Sequence, residues 1–387
     1  MKKWIFCVLI CMLMMVTSIV PISATSLKKT SQSLNMGNIL YVGGSGPGNY
    51  TKPGNYTKIQ DAINNANQGD TVFVYDDSSP YYENIVIEKS ISIIGEMAST
   101  TQILGDESLD GVIVNISADD VYISGFTIQP YNGTPAGIIV CKKYVNPDYW
   151  NTPIIQNINI FNNIIKNTSW AGIFGIRLNN ANISGNDINH CSCGIQFFIS
   201  SNNTITNNRI ADCTGSGINI DGAWSPYRLR NFLNPLSENN LISRNIVLSN
   251  RWGIQLNGGV VNTIITQNNI SANHGMFPGH DGIGIDIYQA SKTQITNNNI
   301  IDNSQNACFT TILIFRYPQF VLNTWDGNYW GESSNTPLRI TGTFWFMPFP
   351  RLPVDICFPN FSLTQWEVPW MAFDKHPAQE PYDIPGT

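Results

Sequence analysis

Apolar and polar residues alternate with period two in short runs that recur about every 22 residues along the chain. The recurring pattern is x-I-x-x-N-x-I, as in "NISGNDI" (182–188) and "TITNNRI" (204–210), and a G-I-x-φ motif such as "GINI" (217–220) follows it. Two short β-branched runs per repeat exclude helix hairpins, and the missing L-x-x-L-x-L frame excludes leucine-rich repeats. The pattern therefore predicts an all-β fold, a single-stranded parallel β-helix.

One asparagine recurs in every full repeat. Because successive coils stack about 4.8 Å apart, these residues should form one column, in which the side-chain amides hydrogen-bond as a ladder. Asparagine also tolerates a left-handed bend at the end of a strand, and the flanking isoleucines should fill the core. The predicted ladder consists of Asn163, Asn186, Asn208, Asn245, Asn268, Asn298 and Asn328.

The two ends of the repeat region differ from its middle. Residues Ile59, Ala62, Ile63 and Ala66 are spaced as on one helix face, and strands begin after Gly69, which predicts a helix that covers the first coil. Residues 332–387 are rich in proline and aromatic residues without a regular period. They predict an irregular tail that folds over the last coil; the alternative is an aromatic platform for sugars or a partner.

The first residues have the form of an export signal. Lys2 and Lys3 precede an apolar run up to Val20, and small residues near Ala24 offer a cleavage point. We predict a signal peptide at 1–24, a linker at 25–55, the β-helix at 56–331 and the capping tail at 332–387. The alternative is an uncleaved membrane anchor, because the run is almost long enough to cross a bilayer. No later apolar segment is long enough to cross a bilayer. We therefore expect no membrane span after cleavage and a secreted or cell-surface location.

The charge pattern limits the possible partners. The formal net charge is −6, only 12% of residues are charged, and lysine and arginine do not cluster. This argues against nucleic acid as a partner. A polar surface with few charges suits a polysaccharide or another glycan.

The repeat region opens with "GDTV" after the predicted helix, continues with N-x-I-x-x-N-x-I repeats and closes with "NYWG". In these motifs the chain resembles right-handed parallel β-helix proteins of the pectin-lyase-like class. Within that class the chain is most similar to NosD-like proteins and to carbohydrate-binding, sugar-hydrolase-associated repeat proteins. The resemblance covers residues 56–331 and implies a right-handed coil. It leaves the activity open, because the class contains lyases, hydrolases, esterases and non-catalytic surface proteins.

Two acids mark a candidate site. Counted from the glycine of each G-I-x-φ motif, positions +2 and +4 face outward, and Asp221 and Asp286 both fall at +4. They should then share one column, two coils and about 9–10 Å apart. That separation lies near the upper limit for the two carboxylates of an inverting glycosidase. The alternative is a pair of solvated surface acids on a scaffold.

Polar and aromatic residues should surround these acids. Asn219, Gln255 and Asn257 occupy the same outward positions, and insertions at 222–235 and 273–281 flank the face. The predicted substrate-binding residues are Asn219, Gln255, Asn257, Trp224, Tyr227, Arg228, Arg230 and His280. The comparison with polygalacturonase-like hydrolases is incomplete, since the paired adjacent aspartates of that family are missing.

Three further sites are hypotheses. A lyase-like reaction would need calcium, for which Asp221, Asp281 and Asp286 could supply ligands. His274, Met276 and His280 are soft donors in one loop and suit copper, as the NosD-like resemblance implies. Cys191 and Cys213 each lie five residues after a ladder asparagine, so they should stack about 5 Å apart and form a disulfide.

The leading functional hypothesis is glycan binding, with no required cofactor. A glycoside hydrolase that uses Asp221 and Asp286 is the second, and a copper-handling protein is the third.

Overall fold

The computed structural model describes residues 37–44, 56–105, 111–131, 136–142, 151–222, 237–274, 282–314, 323–347 and 366–384. These residues belong to one compact unit, Met36–Thr387. They contain one α-helix, α1 (Ile59–Asn65), and strands numbered β1 to β34 in chain order. No helix in this part of the chain has the length and apolar character of a membrane span.

The strands wind into a parallel β-helix whose coils have three main faces, S1, S2 and S3. S1 comprises β1 (Ile39–Val42), β2 (Thr71–Val74), β4 (Ser92–Gly95), β7 (Tyr122–Ser124), β11 (Asn159–Phe161), β15 (Asn182–Ser184), β18 (Thr204–Thr206), β22 (Leu241–Ser243), β26 (Ile264–Thr266), β29 (Gln294–Thr296) and β32 (Thr324–Asp326). S2 comprises β5 (Gln102–Gly105), β8 (Thr127–Pro130), β12 (Ile164–Lys166), β16 (Asp187–Asn189), β19 (Arg209–Ala211), β23 (Ile246–Leu248), β27 (Asn269–Ser271) and β30 (Asn299–Ile301).

S3 has the longest strands and is followed by short pairs that complete the coil. S3 comprises β3 (Ile85–Ile87), β6 (Val112–Ile116), β9 (Ala136–Val140), β13 (Ala171–Ile176), β17 (Cys193–Phe198), β20 (Ser216–Asp221), β24 (Trp252–Asn257), β28 (Ile283–Tyr288), β31 (Gln305–Ile314) and β33 (Leu338–Met347). The short pairs are β10 (Ile155–Gln156) with β14 (Leu178–Asn179), and β21 (Ser237–Glu238) with β25 (Val260–Val261).

The core follows from the period-two pattern. In S1 the middle residue of each short strand points inward, and Ile183, Ile205 and Ile242 stack on one another with at most 1% of their surface exposed. Equivalent apolar residues from S2 and S3 meet them inside the coil. Because each coil contributes the same few side chains, one continuous apolar core runs along the axis.

The asparagines of the repeat form a buried ladder between S1 and S2. Each side-chain amide donates to the side-chain oxygen of the next, for example from Asn186 to Asn208 at 2.9 Å and from Asn208 to Asn245 at 3.0 Å. All seven side chains are at most 1% exposed. The left-handed backbone is found one residue earlier than expected: Asn207 (φ 55°) bends, and Asn208 points inward. Separating these two roles lets the bend residue face solvent.

Two further ladders lie five residues before and five residues after the first. Asn203 donates to Asn240 at 3.1 Å in one of them, and Asn250 donates to Asn273 at 3.2 Å in the other. A residue with positive φ again precedes each member, as Asn202 precedes Asn203. In the coil that contains Asn240, Asn245 and Asn250, all three corners are therefore closed by the same hydrogen-bonding device.

The N-terminal end is covered by α1, whose Ile59, Ala62 and Ile63 are buried against the first coil. Both carboxylate oxygens of Glu83 accept bonds from the helix N-terminus, and the Lys89 ammonium donates to carbonyls at its C-terminus. The predicted linker at 25–55 is not only a linker, because it contains β1. β1 pairs in parallel with β2, since its apolar residues extend the core by one strand.

The tail at 332–387 is not irregular in its described parts, which is a correction to the expectation. β33 pairs in parallel with β31, and β34 (Trp366–Asp374) pairs antiparallel with β33. The pairing partners impose the extended conformation, which the residue pattern of the tail does not reveal. β34 also reaches β32, so this hairpin joins S1 to S3 around the end of the coil.

Candidate functional site

The outer face of S3 changes character along the axis. Toward the N-terminus it is apolar: Ile139, Phe174 and Ile176 are at most 4% exposed, and the Trp170 ring lies 4.7 Å from that of Phe174. From β17 onward most outward positions are polar, and the apolar exceptions are Phe198, Trp252 and Ile283. Most of these side chains are half-buried, whereas Ser216 and Asn219 are buried. We call Ser216, Asn219, Gln255, Asn257, Asp286 and Cys308 the polar strip.

The strand register separates Asp221 from Asp286. Asp221 pairs with Asn257, which pairs with Tyr288, whereas Asp286 pairs with Gln255. The two acids therefore lie in neighbouring outward columns, two strands apart. Regular sheet spacings put their α-carbons about 12 Å apart, further than the about 9–10 Å expected for two residues of one column. The prediction that they share a column is wrong.

The cause is a second glycine in "GIGI" (282–285). The residue that aligns with Gly253 is Gly284 and not Gly282, because Trp252 pairs with Ile283. Asp286 consequently falls at position +2. A shift of two residues leaves the inward and outward pattern unchanged, so hydrophobic periodicity could not detect it.

Asp286 lies at the centre of a hydrogen-bonded chain that crosses four strands. Gln255 Nε2 donates to Asp286 Oδ2 at 3.1 Å, and Ser216 Oγ donates to Gln255 Oε1 at 2.9 Å. On the other side, Cys308 Sγ donates to Asp286 Oδ1 at 3.5 Å. Burial raises the pKa of the Asp286 carboxyl, and the bonds from Gln255 and Cys308 partly oppose this rise. A raised pKa favours the protonated form of the carboxyl, which can donate a proton.

A second pair of amides lies beside this chain. Asn257 Nδ2 donates to Asn219 Oδ1 at 3.1 Å, and Asn219 is 8% exposed. Trp252 begins the same strand as Gln255, and the Arg251 guanidinium lies 4.1 Å above its ring. The polar strip thus combines amide, hydroxyl and carboxyl groups, and the aromatic ring of Trp252 lies beside it.

The pKa of Asp286 predicts a stability effect of Asp286→Asn. The folded protein holds this proton more tightly than the unfolded chain, whose aspartate pKa is about 3.9. The protonated carboxyl therefore contributes stability below that pH, and the contribution is lost as pH rises through the higher folded pKa. The amide of the variant carries no charge to desolvate, so the variant should gain stability relative to the wild type as pH increases. Melting temperatures from pH 3 to pH 8 test this; a constant difference would contradict it.

Several predicted site residues lie outside the described residues. These are Trp224, Tyr227, Arg228, Arg230, Met276, His280 and Asp281. His274 is described and exposed at a coil corner, where its Nδ1 lies 3.2 Å from Ser304 Oγ. In the described ranges, no three histidine, cysteine or acidic side chains are grouped to hold a metal ion.

Cys191 and Cys213 do stack, in the ladder that contains Asn250, but as free thiols and not as the predicted disulfide. Each thiol replaces an asparagine amide and donates to the carbonyl two residues earlier, Asn189 and Ala211 respectively. The hydrogen bond with Cys191, together with burial, raises the pKa of the Cys213 thiol. The Cys213 thiol therefore stays protonated and makes the bond to the carbonyl two residues earlier that a ladder amide such as Asn208 also makes.

Ser216 and Cys308 belong to the polar strip but are not among the site residues predicted from the sequence. Ser216 directly precedes the glycine of "GINI", so the outward position before each glycine is a usable signal. Cys308 belongs to a repeat whose glycine is replaced by Asn306, which hides the motif.

Comparison with known proteins supports the fold. Residues 110–300 match the family model described as a right-handed β-helix region. No curated protein matches the chain.

The solved structures that resemble the chain include the following three. The mannuronan C-5 epimerase AlgE4 A-module of Azotobacter vinelandii is 12% identical, with a TM-score of 0.45, over 67% of this chain and 80% of that one. DFA-IIIase of Arthrobacter chlorophenolicus is 12% identical, with a TM-score of 0.46, over 78% and 84%. The enzymatically active domain of bacteriophage CBA120 tailspike protein 2 is 14% identical, with a TM-score of 0.46, over 70% and 40%.

At these identities the similarities carry no information about activity or ligand. The parallel strand register and the family match agree on the architecture. The chain is therefore a right-handed parallel β-helix protein.

Proposed function

We propose that the chain is an exported β-helix protein that binds a polysaccharide or another glycan along the polar strip. The sequence of residues 1–24 supports export. The strip supports glycan binding because its groups can both donate to and accept from sugar hydroxyls.

The observation that carries this proposal is the connected set of side chains on consecutive strands. Ser216, Gln255 and Asp286 form one hydrogen-bonded row, and Asn219 with Asn257 forms a second. Because the strands are about 4.8 Å apart and held in a rigid sheet, these groups are fixed before a ligand arrives. Little side-chain entropy is then lost on binding.

A second candidate function is hydrolysis of the bound glycan, favoured by the raised pKa of Asp286. A protonated Asp286 could donate to the oxygen of a glycosidic bond as a general acid. Reducing-sugar release that Asp286→Asn abolishes while binding persists would support this candidate. If the wild-type protein binds a glycan but releases no reducing sugar, hydrolysis is contradicted and only the glycan-binding function is supported.

Substitution of Gln255 tests the proposed surface. Gln255→Ala removes the central amide of the strip and should weaken glycan binding about tenfold, since a hydrogen bond is worth about 1 kcal/mol and its partners are left unpaired. Calorimetric titration with ligands chosen from a glycan array measures the effect. The matched control is Gln156→Ala, an exposed glutamine on β10 that lies outside both the polar strip and S1. Equal loss in both variants, or no binding to any glycan, would contradict the proposal.

A further inference from the structure

The outer face of S1 is a second distinctive surface of the coil. The first and third residues of each S1 strand point outward, because the residue between them is buried. Across the eleven described strands of S1, Asp326 on the last strand is the only charged residue at these positions. S2, by contrast, presents Lys166, Asp187 and Arg209.

Half-exposed aromatic rings cover the N-terminal part of this face. Tyr75, which follows β2, stacks on Tyr41 with ring centroids 5.8 Å apart and meets the Phe73 ring edge-on at 5.1 Å. Tyr122 and Phe161 form a second pair at 4.2 Å. β7 lies two strands from β2, so the two aromatic groups are about 10 Å apart along the axis. Neighbouring rings hold one another in place, which keeps their outer faces available.

A column of hydroxyl groups continues the face toward the C-terminus. Ser184, Thr206, Ser243, Thr266 and Thr296 occupy the same outward position on five successive strands. Thr206 Oγ1 lies 3.2 Å from Ser243 Oγ, and Thr296 Oγ1 donates to Thr266 Oγ1 at 3.2 Å. These bonds orient the hydroxyls and leave oxygen lone pairs directed to solvent.

We propose that the outer face of S1 is a second binding surface, specific for a neutral polysaccharide in an extended conformation. The aromatic rings offer flat apolar surfaces to the C–H faces of sugar rings, and the hydroxyl column bonds to sugar hydroxyls at a regular spacing. The near-absence of charge matches an uncharged polymer, because an anionic one would find no cation on these strands. This surface does not include any residue of the polar strip.

Binding to insoluble cellulose, a neutral β-glucan, tests the inference with the full protein. The double variant Tyr122→Ala/Phe161→Ala should bind at least about fivefold more weakly, since each aromatic contact is worth about 0.5–1.5 kcal/mol. Thr266→Val keeps the side-chain shape, removes one hydroxyl and should weaken binding severalfold. The matched control is Tyr82→Ala, which removes a ring that is 60% exposed and lies outside S1. Circular dichroism melting checks that each variant is folded.

Three outcomes would overturn this inference. They are the absence of cellulose binding by the wild-type protein, an equal loss in Tyr82→Ala, and a Tyr122-dependent dimer in light scattering, which would make a second copy the occupant. Stronger retention on cross-linked polygalacturonate than on cellulose would also contradict it. Loss of cellulose binding in Gln255→Ala but not in Tyr122→Ala/Phe161→Ala would assign cellulose to the polar strip, so failure of the polar strip and failure of S1 are distinguishable.

Discussion

Asp374→Ala should destabilise the C-terminal coils by about 3–5 kcal/mol, because it removes the acceptor on which the asparagine ladder ends. The Asp374 carboxylate is fully buried. It accepts from the backbone N–H groups of Gly327 and Asn328 at 3.0 and 2.9 Å, from Asn328 Nδ2 at 3.0 Å and from Trp330 Nε1 at 3.0 Å. Alanine would remove the acceptor of all four donors, of which Asn328 Nδ2 would keep its bond to the Ile295 carbonyl at 2.9 Å.

The loss should be local at first, since each coil of a solenoid contacts only its neighbours. Hydrogen exchange should show that amides of β32 and β34 lose protection while those of β15 and β18 retain it. Asp383→Ala is the matched control, because Asp383 is an exposed carboxylate in the same segment. Unchanged protection of β32 in Asp374→Ala would show that the carboxylate does not cap the ladder.

Asn245 lies in the middle of the β-helix. Asn245→Ala should lower the free energy of unfolding by about 3–5 kcal/mol. Asn245 Oδ1 accepts from both the backbone N–H and the side chain of Asn208, at 3.0 Å each. Its Nδ2 donates to the Ile205 carbonyl at 2.9 Å and to Asn268 Oδ1 at 3.0 Å. The substitution therefore leaves the buried Asn208 backbone N–H without its acceptor and removes one of the two bonds that Asn268 Oδ1 accepts from residue 245.

Denaturant unfolding of Asn245→Ala and of Asn182→Ala measures this effect. Asn182 is an exposed, outward-facing asparagine of the same repeat pattern, so its removal should change stability by less than about 0.5 kcal/mol. Similar transition midpoints for the two variants would mean that the amide ladder adds nothing beyond ordinary strand pairing.

The main ladder was predictable because its asparagine is nearly constant from coil to coil. The ladder five residues further on was not, because its members differ: Thr168, Cys191 and Cys213 precede Asn250 and Asn273. A thiol can replace an amide there, since its proton still reaches the carbonyl two residues earlier. The five-residue spacing from the main ladder is the signal that would have revealed it.

The sequence alone determined the β-helix, its core isoleucines, the N-terminal helix and the outward orientation of Asp286. Each of these features depends on local periodicity, which can be read directly from the amino-acid sequence. Only the tertiary structure decided that Asp286 bonds to Gln255 and Cys308 and does not share a column with Asp221. It likewise decided that the tail forms strands that end the ladder at Asp374. These features depend on hydrogen bonding between coils, and two registers that differ by two residues bury the same side chains.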